Sequence, residues 1–249
     1  SPFVQLHAHR TDFKALLDVE TLGLQEDFRR GHDLLLRLYP ASQSVGSTRT
    51  MLGSLAMLSY TVPIADGLIR PLVGSRIEYA SHGRNDALFE GDLRFVSPRL
   101  GFGRLVIDGK YLDHYRNYLN ERFLLGGDNR LRGYAVGAFQ GTNLLAASGE
   151  FRTTSVDIVS AQVGAALFYD VGDANDDVRK FQLKQDAGVG LRILFPEFDR
   201  IVFRADWGFP LTPTTGLGYA TFPGAFFVSF AQAFAIPAVV APSVLTQVL

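Results

Sequence analysis

Apolar and polar residues alternate along most of this chain. Over 200–209, Ile201, Phe203, Ala205, Trp207 and Phe209 fall on one side, with Arg200, Val202, Arg204, Asp206 and Gly208 on the other. Leu105, Ile107 and Tyr111 face away from Arg104, Asp108 and Lys110, and Ile69, Val73, Ile77 and Tyr79 oppose Arg70, Arg76 and Glu78. Val163, Ala165, Leu167, Tyr169 and Val171 likewise oppose Gly164, Ala166, Phe168 and Asp170. A period of two predicts strands with one apolar and one polar face. The pattern places strands at 3–10, 13–22, 31–40, 50–63, 68–80, 87–98, 102–115, 144–154, 161–171, 184–195, 200–210 and 222–234, about twelve in all.

Alternation suits a soluble sandwich as well as a membrane barrel. Three features favour the barrel. The segments run to about 9 to 12 residues, the length a tilted strand needs to cross a bilayer. Aromatics stand near strand ends, at Tyr39, Tyr60, Tyr79, Tyr111, Trp207 and Phe234, as an interfacial girdle requires. The rhythm also recurs along the whole chain, with polar, glycine-bearing breaks. The fold class expected is therefore all-β, an antiparallel transmembrane β-barrel.

Composition narrows the picture further. With 24 basic and 25 acidic residues among 249, no electrostatic footprint for nucleic acid is present. Cysteine is absent, which removes disulfide frameworks and cysteine-ligated metals. No stretch reaches the roughly 18 apolar residues of a membrane helix. The start, SPFVQLHAHR, has neither the pattern of a signal peptide nor an initiator Met, and reads as a piece of something longer.

The longest gap between strands, 116–143, holds GGDNRLRGY (126–134). By itself this run fits an exposed turn, a phosphate cradle, or a loop whose arginine is held elsewhere. The GxxxxGK[ST] spacing and following helix of a phosphate cradle are missing. Strand parity supplies partners for the third reading. Glu150 shares a face with Leu144, Ala146, Ser148 and Arg152, and Asp170 shares one with Gly164, Ala166 and Phe168. Each is the less apolar face of its strand, hence the lumen side. An arginine entering a lumen needs carboxylates, and two of them can grip its planar fork.

LLGGDNRLRGY resembles the long-loop signature of the outer-membrane protein assembly factor superfamily, also called the bacterial surface antigen family. That superfamily contains BamA/TamA-type insertases and two-partner secretion transporters. Leu131, Arg132, Gly133 and Tyr134 match its (Leu/Val/Ile)-Arg-Gly-(Phe/Tyr) tetrapeptide. Downstream, ASGEFR supplies the expected glutamate as Glu150, and Phe168-Tyr169-Asp170-Val171-Gly172 fits an aromatic-x-Asp-x-Gly strand. DAGVGLRILFP, IVFRADWGFPL and FPGAFFVSFAQAF resemble the last three strands, the closing one carrying Phe226, Phe230 and Phe234. Five strands after the loop is the family's number. The resemblance covers 124–234 closely and 1–123 through strand rhythm and fragments such as GLQEDFRRG.

The resemblance implies a carboxy-terminal barrel over 1–234, amino-terminally incomplete relative to sixteen strands, and a tail over 235–249. It implies a loop lock of Arg132, Gly133, Tyr134, Glu150, Asp170 and Gly172, and a seam along Phe226, Phe230 and Phe234. The function implied is insertion of β-barrel proteins into the bacterial outer membrane, or passage of polypeptide across it. Its partners would be the lipid bilayer, unfolded barrel proteins or a secreted polypeptide, and periplasmic partners reached through a missing amino-terminal region such as POTRA repeats. No cofactor, metal or catalytic residue is implied, and the protein is expected not to be an enzyme. A passive pore, a structural barrel, a barrel hydrolase and a membrane anchor for a missing amino-terminal domain stand as alternatives.

Other residues invite blander readings. His7 and His9 share a face but lack a third ligand. Ser81 and His82 are adjacent on a strand and so point to opposite faces, against a nucleophile and base. VGDANDDVRK (171–180) resembles a calcium loop only in composition and reads as a solvated turn.

Overall fold

A computed structural model of the protein describes residues 2–80, 83–127, 130–197, 201–213 and 224–230. The first seven strands are β1 (Val4–His9), β2 (Asp12–Leu17), β3 (Gln25–Ala41), β4 (Met51–Ile64), β5 (Gly67–Ala80), β6 (Asp86–Val96) and β7 (Gly103–Asn117). Then come β8 (Phe123–Leu125), β9 (Phe139–Gly141), β10 (Asn143–Thr153) and β11 (Val156–Ile158). The last four are β12 (Ala161–Asn175), β13 (Lys184–Leu194), β14 (Phe203–Pro210) and β15 (Ala225–Phe230).

Thirteen of these segments form one antiparallel sheet, and β8 and β9 pair separately. The sheet follows chain order, β1-β3-β4-β5-β6-β7-β10-β12-β13-β14-β15, with β2 and β11 off that path. Consecutive strands are joined by turns at alternating ends. The sequence reading separates 3–10 from 13–22, but β1 and β2 lie on the same neighbour in one register. His9 faces Asp33, Asp12 faces Arg30, and Arg10 N donates to His32 O between them at 3.1 Å. Arg10-Thr11 offers no turn chemistry, so the chain runs straight on. The turn comes only at Asp18, in the left-handed region at φ 59°, and 18–22 is not strand.

The two faces of the sheet are those of an inside-out protein. Leu38, Leu52, Tyr60, Val73, Tyr79, Leu167, Val189 and Trp207 are exposed on one face. Arg76, Glu78, Glu90, Arg94, Arg192 and Asp206 are buried on the other. A water-soluble fold buries its aliphatic face and exposes its charges. The reverse arrangement suits an apolar solvent outside and a polar lumen inside. It also explains why the backbone is so fully paired, since hydrocarbon cannot satisfy a free N–H or C=O. Among the described residues, β15 and the β1–β2 strand each pair on one side only.

One girdle residue belongs elsewhere. Tyr39 is buried on the luminal face, where its hydroxyl donates to Glu78 Oε1 at 2.9 Å and its ring lies over Gly53. A Cβ at position 53 would run into that ring, so the glycine leaves the room the aromatic fills.

Candidate functional site: an arginine loop clasped in the lumen

The site lies between β7 and β10. The short β8–β9 ladder forms a stem there, with Phe123 opposite Gly141 and Leu125 opposite Phe139. Beyond the stem the tip folds back on itself. Gly137 N donates to Gly126 O at 3.3 Å, Tyr134 N to Leu131 O at 3.1 Å, and Leu131 holds a left-handed φ of 53°. The tip is not in solvent: Leu131, Arg132 and Tyr134 are all fully buried. Leu131 and Tyr134 join Leu112, Leu125, Phe139, Leu144, Ala146 and Ala174 in one packed cluster on the luminal face of β7, β10 and β12.

Arg132 is held on nearly every side. Nε and Nη2 donate to the two oxygens of Asp170 at 2.8 and 2.9 Å, a bidentate grip, and the backbone N reaches Asp170 Oδ2 at 3.2 Å. Nη1 donates to Glu150 Oε2 at 2.6 Å. Ser148 Oγ accepts from Nη2 at 3.2 Å and donates to Asp170 Oδ1 at 2.5 Å. The guanidinium carbon sits 3.5 Å over the centre of the Phe168 ring, an additional cation–π attraction. Burial works against the charge on Arg132, but Glu150 and Asp170 outweigh it and hold the pKa above the usual arginine range. The side chain is therefore a permanent cation.

Sequence reasoning names Glu150 and Asp170 and misses the third carboxylate. Asp206 on β14 lies 3.4 Å from Arg132 Nη1. Arg192 ties the carboxylates together, reaching Asp206 Oδ1 at 2.5 Å and Glu150 Oε1 at 3.1 Å, while Arg152 donates to Glu150 Oε1 at 2.8 Å. The result is a buried lattice of alternating charge, in which each ion's desolvation is offset by several partners. The luminal parity of Asp206 was visible in the alternation, but its reach to the loop depends on the curvature of the sheet.

Gly133 and Tyr134 fix the loop by shape. A Cβ on Gly133 would lie 2.6 Å from Asp186 Cβ and 2.9 Å from the backbone at Phe209 and Pro210. The fit is reciprocal, because a Cβ on Gly208 would lie 2.5 Å from Arg132 C and O. The Tyr134 hydroxyl, sharing its proton, faces the carbonyls of Gln185 and Thr212 at 3.0 Å each. Burial raises its pKa, so the phenol stays neutral and remains a donor. Gly172 has a different place. It sits opposite Ala146, where a Cβ would come within 2.8 Å of Leu145 O, so it serves close strand packing rather than touching Arg132.

A second arginine of the same run, given no role by the sequence reading, faces the other way. Arg130 Nη2 pairs with Asp108 on β7, and Arg94 Nη1 on β6 reaches the same aspartate at 3.4 Å. The loop is thus fastened to β10, β12 and β14 by Arg132 and to β6–β7 by Arg130. Asp128 lies outside the described residues.

The remaining candidates take modest places. Phe226 and Phe230 are exposed on β15, facing Trp207 and Phe203 in register. Phe234 and the tail 235–249 lie outside the described residues, as do Ser81 and His82. His7 Nε2 bonds Asp33 Oδ1 at 2.7 Å. Among the described residues no group of three or more potential ligands could hold a metal. Of the stretch 171–180 read as a solvated turn, the first half continues β12, and only beyond Asn175 does the chain turn. There Asp177 caps a short 3-10 helix (Val178–Lys180), accepting from Arg179 N, while Asp173, buried in β12, accepts from Gln182 N at 2.6 Å.

An all-antiparallel wall, an apolar outer face, a charged interior and an inserted arginine loop define a β-barrel of the outer-membrane class. A family model for the Omp85 superfamily domain matches residues 30–223, well over half of the chain. The chain belongs to the Omp85 superfamily, a group of bacterial outer-membrane insertases and transporters that act on outer-membrane protein clients. The curated proteins give no match.

Proposed function

We propose that this barrel inserts β-barrel proteins into the outer membrane, or moves polypeptide across it, with Arg132 clasped by Asp170 and Glu150 to keep the loop in its working position. The observation that carries this reading is the bidentate Arg132–Asp170 pair, completed by Glu150, inside a fully buried site. A passive pore gains nothing from a cation held by three carboxylates across the path of flow. The lumen is instead crossed by packed side chains, with Phe123 of the stem touching both the loop cluster and a second cluster of Leu35, Leu55, Met57, Leu72 and Leu88.

The proposed action is non-covalent, so the barrel is not an enzyme. The edge of β15, with Phe226 and Phe230 toward lipid, is the surface on which an incoming strand would be templated, because an unpaired strand edge presents a row of free N–H and C=O groups. The clients are unfolded barrel proteins or a secreted polypeptide.

The test is reconstitution. The protein in liposomes should accelerate folding of an added unfolded outer-membrane barrel, read as acquisition of heat-modifiable migration. Arg132→Ala should abolish that gain, and Arg132→Lys should not restore it, because a point charge lacks the two-pronged fork. Equal acceleration by Arg132→Ala would defeat the reading.

A further inference from the structure

The turn between β2 and β3 does not stay at the rim of the sheet. Residues 18–24 lie at the end opposite the arginine loop, since five strand positions separate the two connections and turns alternate ends. From there the turn crosses the interior. Val19 is buried and packs with Leu16 against Leu68, Val96 and Val106 of β5, β6 and β7. Leu22, also buried, packs against Leu194 at the end of β13 and Val202 just before β14. Gly23 lies so close to Gln162 of β12 that a Cβ would collide with its amide. A turn from the first strand pair therefore touches the ninth and tenth strand positions of the sheet.

The wall holds this turn by its backbone. Arg104 Nη2 donates to Leu17 O at 2.8 Å, and Arg152 Nη1 donates to Val19 O at 3.0 Å. Arg99 Nη2 reaches Asp18 Oδ2 at 2.9 Å, and Glu26 Oε2 accepts from Val19 N and Glu20 N at 3.0 and 2.8 Å. Arg152 is the informative member. Its Nε donates to Glu150 Oε1, while Glu150 Oε2 takes Arg132 Nη1. One buried glutamate and one arginine thus connect the arginine loop to the turn at the opposite end.

We propose that the 18–24 turn is a second plug, which closes the end of the lumen opposite the arginine loop and is released when that loop leaves. The coupling is electrostatic. With Arg132 gone, Glu150 loses a cation and draws Arg152 more strongly, at the expense of the Arg152 bond to Val19 O. The turn thereby loses one of the bonds that hold its backbone to the wall, so its local opening becomes easier. A polypeptide or opened seam using this lumen would clear both ends by a single disruption. The inference rests on the reading of the sheet as a barrel wall, and not on what the barrel transports.

The chain has no cysteine, which permits a direct test on the full protein in lipid nanodiscs. Leu22→Cys and, separately, Val19→Cys are labelled with a charged maleimide and compared with Val156→Cys. Val156 is 64% exposed at the same end of the sheet. The plug predicts labelling at positions 19 and 22 at least about tenfold slower than at 156, the span expected between a protected and an open segment. Adding Arg132→Ala should raise the rates at 19 and 22 several-fold and leave 156 unchanged, and Arg152→Gln should do the same. Labelling of 19 and 22 as fast as 156 in the otherwise unaltered protein overturns the plug. Protection that persists in Arg132→Ala while the arginine loop becomes protease-sensitive overturns the coupling. If the loop itself stays resistant in Arg132→Ala, the clasp has failed, and the plug is judged by the unaltered protein and Arg152→Gln.

Discussion

Arg132 and Asp170 meet through two parallel hydrogen bonds, 2.8 and 2.9 Å long, although 38 residues separate them and neither is exposed to solvent. The pair joins the tip of a loop to the middle of a strand. Loops gain little from surface charge pairs, whose worth is small. A buried pair is different, because removing one partner strands the other charge away from water.

Arg132→Ala leaves Asp170, Glu150 and Asp206 facing one another without their shared cation. It should destabilise the protein by about 3–5 kcal/mol, the cost of breaking a buried pair. Urea unfolding in bilayers measures this, and limited proteolysis should show cleavage within the loop that the unaltered protein resists.

Arg130→Ala should be milder. Its pair with Asp108 is partly open to solvent and Arg94 still faces that aspartate. A loss of roughly 1–2 kcal/mol is expected, in the range of a hydrogen bond to a charged group. The loop should remain resistant to protease, because Arg132 still holds it.

Gly208→Ala tests fit without touching a charge. The added methyl falls 2.5 Å from Arg132 C and O, so the loop or β14 must shift, at about 1–3 kcal/mol for overpacking. Gly149→Ala on β10 is the control, since nothing lies within 4 Å of the new Cβ. The first substitution should loosen the loop in a protease assay and the second should not.

Val189→Arg places a charge on the exposed face near the centre of β13. In a bilayer it should cost about 2–4 kcal/mol, as a cation does at the midplane of a barrel's lipid face. A face turned to water would accept it with almost no change in the unfolding midpoint.

Strand positions were legible because one face of the wall is apolar and the other is not, so the period of two survives from Leu52 to Trp207. Glu150 and Asp170 were legible because parity puts them on the luminal side and the Leu-Arg-Gly-Tyr tetrapeptide asks for carboxylates there. Asp206 and Asp108 carry the same parity but no sequence mark of the loop, since the contact depends on how the sheet curls. Tyr39 misled for a related reason: an aromatic near a strand end reads as a girdle residue, whereas its parity with Asp33 and Leu35 turns it inward and Gly53 leaves room for the ring. The fold of 18–24 into the interior is set by contacts with Arg104, Arg152 and Leu194. Those partners lie between about 80 and 170 residues away along the chain, far beyond any local period.

The clasp itself is tested most directly by a double-mutant cycle on Arg132→Ala and Asp170→Ala, read as unfolding free energy in lipid bilayers. Residues in direct contact through a shared network couple by about 0.5–3 kcal/mol, and the buried, bidentate geometry places this pair at the upper end. A coupling of about 2 kcal/mol or more is the expected result. Strict additivity of the two substitutions would contradict a loop held in the lumen by this pair.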